Sequence, residues 1–251
     1  MGVLTKSYIR PRAYVRVQGP DAGDLLQRIV SNDVLAAESC EALLLTPKGR
    51  VIAPLLVWRR GDDDFLLLTE PELGPVVLDH LRRMRIASHC EIEFEEHTSA
   101  IVLGDAEGIP NHDYGERAFE VLDPATFPEP ADEELERLRI LARTPRWGRE
   151  IDDGILPAEA GLDERAVSFT KGCYPGQEPL ARLHNRGHVN RVLRVLDVEG
   201  DAKQADEIRH EGNAVGRVTS AVPGLALAYV RVEVPEGAEL EIGGRPARLH
   251  S

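Results

Sequence analysis

Cysteine offers the most reactive side chain in this protein, and one of its three cysteines lies in a stretch shaped to present it. That stretch is Lys171-Gly172-Cys173-Tyr174-Pro175-Gly176-Gln177-Glu178-Pro179-Leu180-Ala181-Arg182. Glycines and a proline around Cys173 demand a sharp turn. Pro179 suits a first helical position, with Gln177 or Glu178 as the cap. A thiol near a helix N-terminus and close to Lys171 is placed to favour its thiolate. Gln177, Glu178 and Arg182 add polar and charged groups within about one helical turn. Such a site could do covalent thiol chemistry, hold a soft metal or wall a ligand pocket. The plainer alternative is a tight turn in which Cys173 packs as a small residue.

Other constellations carry less. A cysteine hydrolase would pair Cys173 with His184 or His188, but the flanking pattern of known cysteine proteases is absent. His184 and His188 are spaced for zinc on a helix, yet Gly187 lies between them and no third ligand is recognisable, so no metal set is read. The run Arg182-Leu183-His184-Asn185-Arg186-Gly187-His188-Val189-Asn190-Arg191 is a basic island in an acidic chain. If Arg182, Arg186 and Arg191 converge they could meet an anionic ligand; otherwise they pair with the protein's own carboxylates. Cys40 and Cys90 precede short apolar runs and are expected to be buried, and an odd cysteine count argues against a disulfide framework.

The formal net charge of −13 on 251 residues argues against nucleic acid as a general partner. No apolar stretch is long enough for a membrane span, and Met1–Lys6 leads into no apolar signal core, so a cytoplasmic location is expected.

Elements that could position the cysteine stretch follow from periodicity. Tyr14–Gln18 alternates as a strand, and Asp21 caps a helix carrying Leu25, Leu26, Ile29 and Val30 on one face. Glu41–Thr46 and Val51–Trp58 read as a hairpin turned by Pro47-Lys48-Gly49. Gly61-Asp62-Asp63-Asp64 makes a solvated turn before a strand at Phe65–Thr69. Pro71–Met84 is helical, with Leu73, Val76, Val77, Leu81 and Met84 as its apolar face. Strands follow at Glu91–Phe94 and Ala100–Leu103, then a Gly-, Pro- and acid-rich stretch with apolar pieces at Phe119 and Val121. A short helix covers Glu133–Ala142, an irregular loop Arg143–Gly161, and strand-rich sequence resumes at Arg191. Hairpins and helices without βαβ alternation give an α+β class, and the tail suggests a small β-barrel.

The octapeptide Lys171-Gly172-Cys173-Tyr174-Pro175-Gly176-Gln177-Glu178, followed by Ala181-Arg182, resembles the signature of YgfZ-type folate-binding proteins. These are relatives of the glycine-cleavage T protein (aminomethyltransferase). Val17–Ala22 with Ser31-Asn32-Asp33-Val34 resembles the family's N-terminal segment, and Leu45-Thr46-Pro47-Lys48-Gly49-Arg50 its hairpin. Trp147–Asp152 and Leu156–Leu162 resemble the approach to the cysteine loop, and Val215–Ser220 the C-terminal barrel.

The resemblance implies an aminomethyltransferase-like three-part ring with a central folate opening. Residues 1–190 would be the folate-binding region, built as two interleaved α+β subdomains, and 191–251 the barrel. It implies a tetrahydrofolate-binding accessory protein in iron–sulfur cluster assembly or repair, with Cys173 as the functional thiol and Lys171 favouring its thiolate. The implied folate contacts are Gln177, Glu178, Arg182, Asn32, Glu150, Asp152 and Glu159; the implied partners are folate and iron–sulfur enzymes or assembly proteins. Aminomethyltransferases carry two carboxylates in the hairpin strand where this chain has Ala53 and Pro54, neither of which can exchange a proton. A folate-dependent one-carbon transferase and a non-catalytic docking module are the alternatives.

Overall fold

A computed structural model describes residues 6–250; the leader reading at Met1–Thr5 lies outside them. The chain opens with β1 (Lys6–Ile9) and β2 (Ala13–Gln18), turns into α1 (Ala22–Ile29), and returns as β3 (Ser39–Leu45), β4 (Val51–Arg59) and β5 (Asp64–Thr69). A 3-10 turn at Pro71–Leu73 leads into α2 (Gly74–Met84) and then β6 (Glu91–Glu95). These strands form an antiparallel sheet in the order β3-β4-β5-β2-β6.

Both faces of this sheet are covered, which explains the unbroken apolar run Phe65-Leu66-Leu67-Leu68. Val15, Val17, Phe65 and Leu67 pack under α1 and α2, while Tyr14, Leu66 and Leu68 face the other way. Pro54 sits in β4 opposite Leu43, short of the stretch where β4 pairs with β5, so no ladder bond is lost there.

A second sheet joins β1 to β7 (Ser99–Leu103), β8 (Ile109–Pro110) and β9 (Ala118–Leu122), in the order β1-β7-β9-β8. In β9 the acid points inward: Glu120 is fully buried while Phe119 and Val121 are only half-buried. The reason is a prepared polar nest. Arg12 donates to both Glu120 oxygens at 2.9 Å, Ser99 at 2.7 Å and Asn111 at 2.9 Å.

Next come α3 (Glu133–Leu141), α4 (Asp163–Ala166) and α5 (Gln177–Arg186). The tail is a closed barrel of β10 (Arg191–Val198), β11 (Glu207–His210), β12 (Asn213–Val222), β13 (Leu225–Arg231), β14 (Leu240–Ile242) and β15 (Arg245–Leu249), ordered β10-β13-β12-β11-β14-β15. Its outer face is not free. Leu193, Val195, Leu225, Leu227 and Tyr229 share one core with Leu43, Leu45 and Val51 of the hairpin and with Ile151 and Ile155 of the preceding loop.

Several local expectations are corrected. Asp21 stands at the head of α1 but makes no cap bond; its carboxylate accepts from the His89 amide at 2.6 Å, tying α1 to the β6 approach. Val76 and Met84 are largely exposed, so the buried stripe of α2 narrows to Gly74, Val77 and Leu81. Asp64 is no solvated turn residue: Arg16 donates to both its oxygens. Cys90 is buried as expected, but Cys40 is only half-buried. No described helix is long and apolar enough to cross a membrane.

Candidate functional site

The cysteine loop is held from beneath by two glycine-dependent contacts. α5 begins at Gln177, so Gly176 occupies the capping position with φ +84°, and Pro179 is the third helical residue rather than the first. Neither Gln177 nor Glu178 caps the helix. A Cβ on Gly176 would stand 2.7 Å from the Thr46 carbonyl oxygen and 3.1 Å from the Gly49 Cα. The cysteine loop therefore rests directly on the tip of the β3–β4 hairpin, whose Gly49 also has positive φ. Leu180, fully buried, anchors α5 in the shared core. Gly176→Ala is expected to destabilise by more than the roughly 1–2 kcal/mol of a left-handed alanine, because the hairpin tip must also move. Urea unfolding measures it.

Above that base Cys173 is exposed. Tyr174 turns inward and donates to the Ser168 carbonyl at 3.0 Å; burial pushes its phenol up to about 12. Lys171 does not serve Cys173 as expected. Its ammonium donates to the carbonyls of Val30 at 2.8 Å and Asn32 at 2.6 Å, and lies over the Tyr174 ring. Burial lowers its pKa to about 8. The thiol it influences is Cys40, which burial raises to about 11 against the pull of the Lys171 charge. Lys171 is thus a clip between the cysteine loop and the α1–β3 loop. The Gln177 amide reaches the Lys171 carbonyl at 3.5 Å, and Glu178 and Arg182 form an exposed pair on the solvent face of α5.

A separate cleft lies where the two sheets meet the loop between α3 and α4. Arg10, Arg12, Glu41, Pro54, Glu70 and Asp113 line it, with Arg139, Arg146 and Arg165 across from them. No residue of 171–182 takes part. Arg10 grips Glu70 at 2.7 and 3.0 Å; burial pushes Glu70 up, but the bonds and charge of Arg10 outweigh it and hold the carboxyl at about 2. The mouth is looser. Arg146 approaches Tyr114 and Glu136 only at 3.4 Å, and Arg165 holds Glu41 at 2.9 Å while reaching Asp113 at 3.5 Å. The cavity measures about 50 Å³, room for a few waters against the roughly 300–1,000 Å³ of a ligand pocket.

The remaining expected contacts are already committed. Asn32 donates to the carbonyls of Glu41 and Arg165, fastening β3 to α4. Glu150 is wholly buried, with Ser220 on one oxygen and Arg139 and the Arg146 amide on the other. Asp152 closes its own surface turn on the Gly154 amide. Glu159 accepts from the Leu156 amide and from Arg191. Arg182, Arg186 and Arg191 form no common site: Arg182 pairs with Glu178 and Arg191 with Glu159. His184 stacks on Phe169, and among the described residues no cluster of His, Cys, Asp or Glu could hold a metal ion. Sequence reasoning missed Glu41, Asp113, Arg10, Arg12, Glu70 and Arg165. The one available signal was a charged residue, Glu41, opening an otherwise apolar strand.

This architecture is an aminomethyltransferase-like fold with a closed six-stranded C-terminal barrel. It superposes on the glycine cleavage system aminomethyltransferase T of Bartonella henselae with a TM-score of 0.81, covering 98% of this chain and 85% of that one at 18% identity. More particularly, residues 190–251 match the CAF17 C-terminal β-barrel domain. Relatives that match over most of the chain fall on two sides. The human iron–sulfur cluster assembly factor IBA57 is 26% identical, across 90% of this chain and 77% of its own. An aminomethyltransferase of Desulforamulus reducens is 25% identical, across 91% and 79%. A Haemophilus influenzae protein without an assigned function is 29% identical, across 83% and 81%. The resemblance read from the sequence is borne out at this level.

Proposed function

We propose that this protein is a tetrahydrofolate-binding accessory factor of iron–sulfur cluster assembly or repair, acting in the cytoplasm through the Cys173 thiol. The observation that carries the reading is the exposure of Cys173 on a loop seated on the hairpin tip, joined to a transferase-like body whose hairpin strand has Ala53 fully buried in the core and Pro54 in the cleft. Neither side chain can move a proton, which weighs against one-carbon transfer. Kinship to proteins named as iron–sulfur cluster assembly factors supports the assembly role. The partners would be iron–sulfur enzymes or assembly proteins meeting the exposed loop.

The cleft suits folate in donor set rather than in present volume. Its carboxylates match N–H groups of a pterin, and its loosely held Arg146 matches a carboxylate of the ligand. The ring enters once Arg146 swings aside. Calorimetric titration with tetrahydrofolate, run beside Cys173→Ser, tests this. Binding by both proteins is the expected result, because no loop residue lines the cleft. Absence of binding by both removes folate from the account and favours a docking module.

A further inference from the structure

One carboxylate in the cleft has an incomplete set of partners. Glu41 lies on β3, on the same face as Leu43 and, across the hairpin, Pro54 and Leu56. Its Oε2 accepts from Arg165 Nε at 2.9 Å, while Oε1 is buried with no hydrogen-bond partner. The neighbouring acids differ: Glu70 and Glu120 have both oxygens filled by arginine. A buried acceptor left without a donor is costly unless something else supplies one.

We infer that Glu41 is the carboxylate that accepts the N–H edge of the cleft's ligand, and that it gives up a proton when that ligand binds. The ligand class is a flat heterocycle with adjacent N–H donors, such as the aminopyrimidinone edge of a pterin; the inference rests on the folate reading above. A protonated carboxyl carries a donor of its own and clashes with such an edge, whereas the carboxylate is acceptor-only. Burial pushes the Glu41 carboxyl up to about 7, with Arg165 and Arg12 pulling it down and Asp113 pushing it further up. Arg165 comes from α4, Arg12 from the approach to β2, and Asp113 from the β8–β9 loop, which also brings His112 to the cleft; Arg10, Glu70, Arg139 and Arg146 complete its charged lining. Because the ligand selects the ionised form, affinity rises with pH up to about 7 and levels off above it. Below that point it falls by up to about tenfold per pH unit.

The experiment has two arms. Tetrahydrofolate is titrated calorimetrically into the wild-type protein and Glu41→Gln at pH 6 and pH 8, in buffers of different ionisation enthalpy. The expected result for the wild type is proton release on binding at pH 6, little release at pH 8, and tighter binding at pH 8. Glu41→Gln should bind about 10- to 100-fold more weakly, with the pH dependence lost. Equal affinity of both proteins, flat with pH, overturns the inference and leaves the folate reading standing. The second arm follows the Glu41 carboxyl of ¹³C-labelled wild-type protein by NMR as 2-aminopyrimidin-4-one is added, and needs no variant to fold. A displaced Glu41 resonance with a lowered titration midpoint supports the inference even where tetrahydrofolate itself fails to bind. An unmoved resonance overturns it.

Discussion

Glu150→Ala is expected to destabilise the protein by about 3–5 kcal/mol, the usual cost of leaving one half of a buried ion pair without its partner. The partner here is Arg139, whose side chain is 1% exposed against 0% for Glu150. Three parts of the molecule lose an anchor together. Ser220 on β12 donates to Glu150 Oε1 at 2.6 Å, the Arg146 amide to Oε2 at 3.0 Å, and Arg139 on α3 to the same oxygen at 3.2 Å. Tyr229 of the barrel bonds the Glu150 carbonyl at 2.8 Å and keeps that link. Arg139 retains Glu136 and the Thr144 carbonyl, which limits the loss. For a chain of this size the change corresponds to a fall in Tm of about 10 °C. Denaturant unfolding of the variant reads it directly. The outcome also separates two roles for this residue: a strut between barrel and body costs stability, whereas a folate contact would cost affinity at constant stability.

Cys173→Ser should behave in the opposite way. The side chain is exposed and the loop is shaped by Gly176, Tyr174 and Lys171 rather than by sulfur, so stability should change by less than about 0.5 kcal/mol. Function should nevertheless be lost. In cells lacking the native protein, the serine form is expected to leave the iron–sulfur enzyme defect uncorrected while accumulating to normal levels, since a hydroxyl replaces neither the nucleophilicity of sulfur nor its affinity for soft metal. Full rescue by the serine form would remove the thiol from the mechanism and return the loop to a docking role. Measuring protein abundance in the same cells keeps a folding failure from imitating a chemical one.

The elements of this fold were legible because they are set locally. Alternation over Tyr14–Gln18, the Pro47-Lys48-Gly49 turn and the strand-rich tail each depend on residues a few positions apart, and each appears where expected. The glycines around Cys173 were likewise readable as a special turn. What they rest on was not: the contact of Gly176 with Thr46 joins positions 130 residues apart in the chain. Caps fared less well, since Asp21 found a better donor at His89, on the far side of α1 and α2 in sequence.

The sequence by itself determined the mixed α and β class, the C-terminal barrel, the cysteine loop and the kinship that its motifs carry. Only the tertiary structure decided which charged groups are free to act. Lys171 could be placed beside Cys173 by sequence, but long-range carbonyls from Val30 and Asn32 capture its ammonium. Glu150, Asp152 and Glu159 looked equivalent as acceptors, yet distant donors from Arg139, Ser220 and Arg191 occupy two of them, and a local turn the third. Glu41, the single acid in strand β3, keeps a buried oxygen with no partner. The physical reason is that hydrogen-bond saturation belongs to the assembled neighbourhood: each lone pair is filled by whichever donor the fold brings within about 3 Å, whatever its distance along the chain.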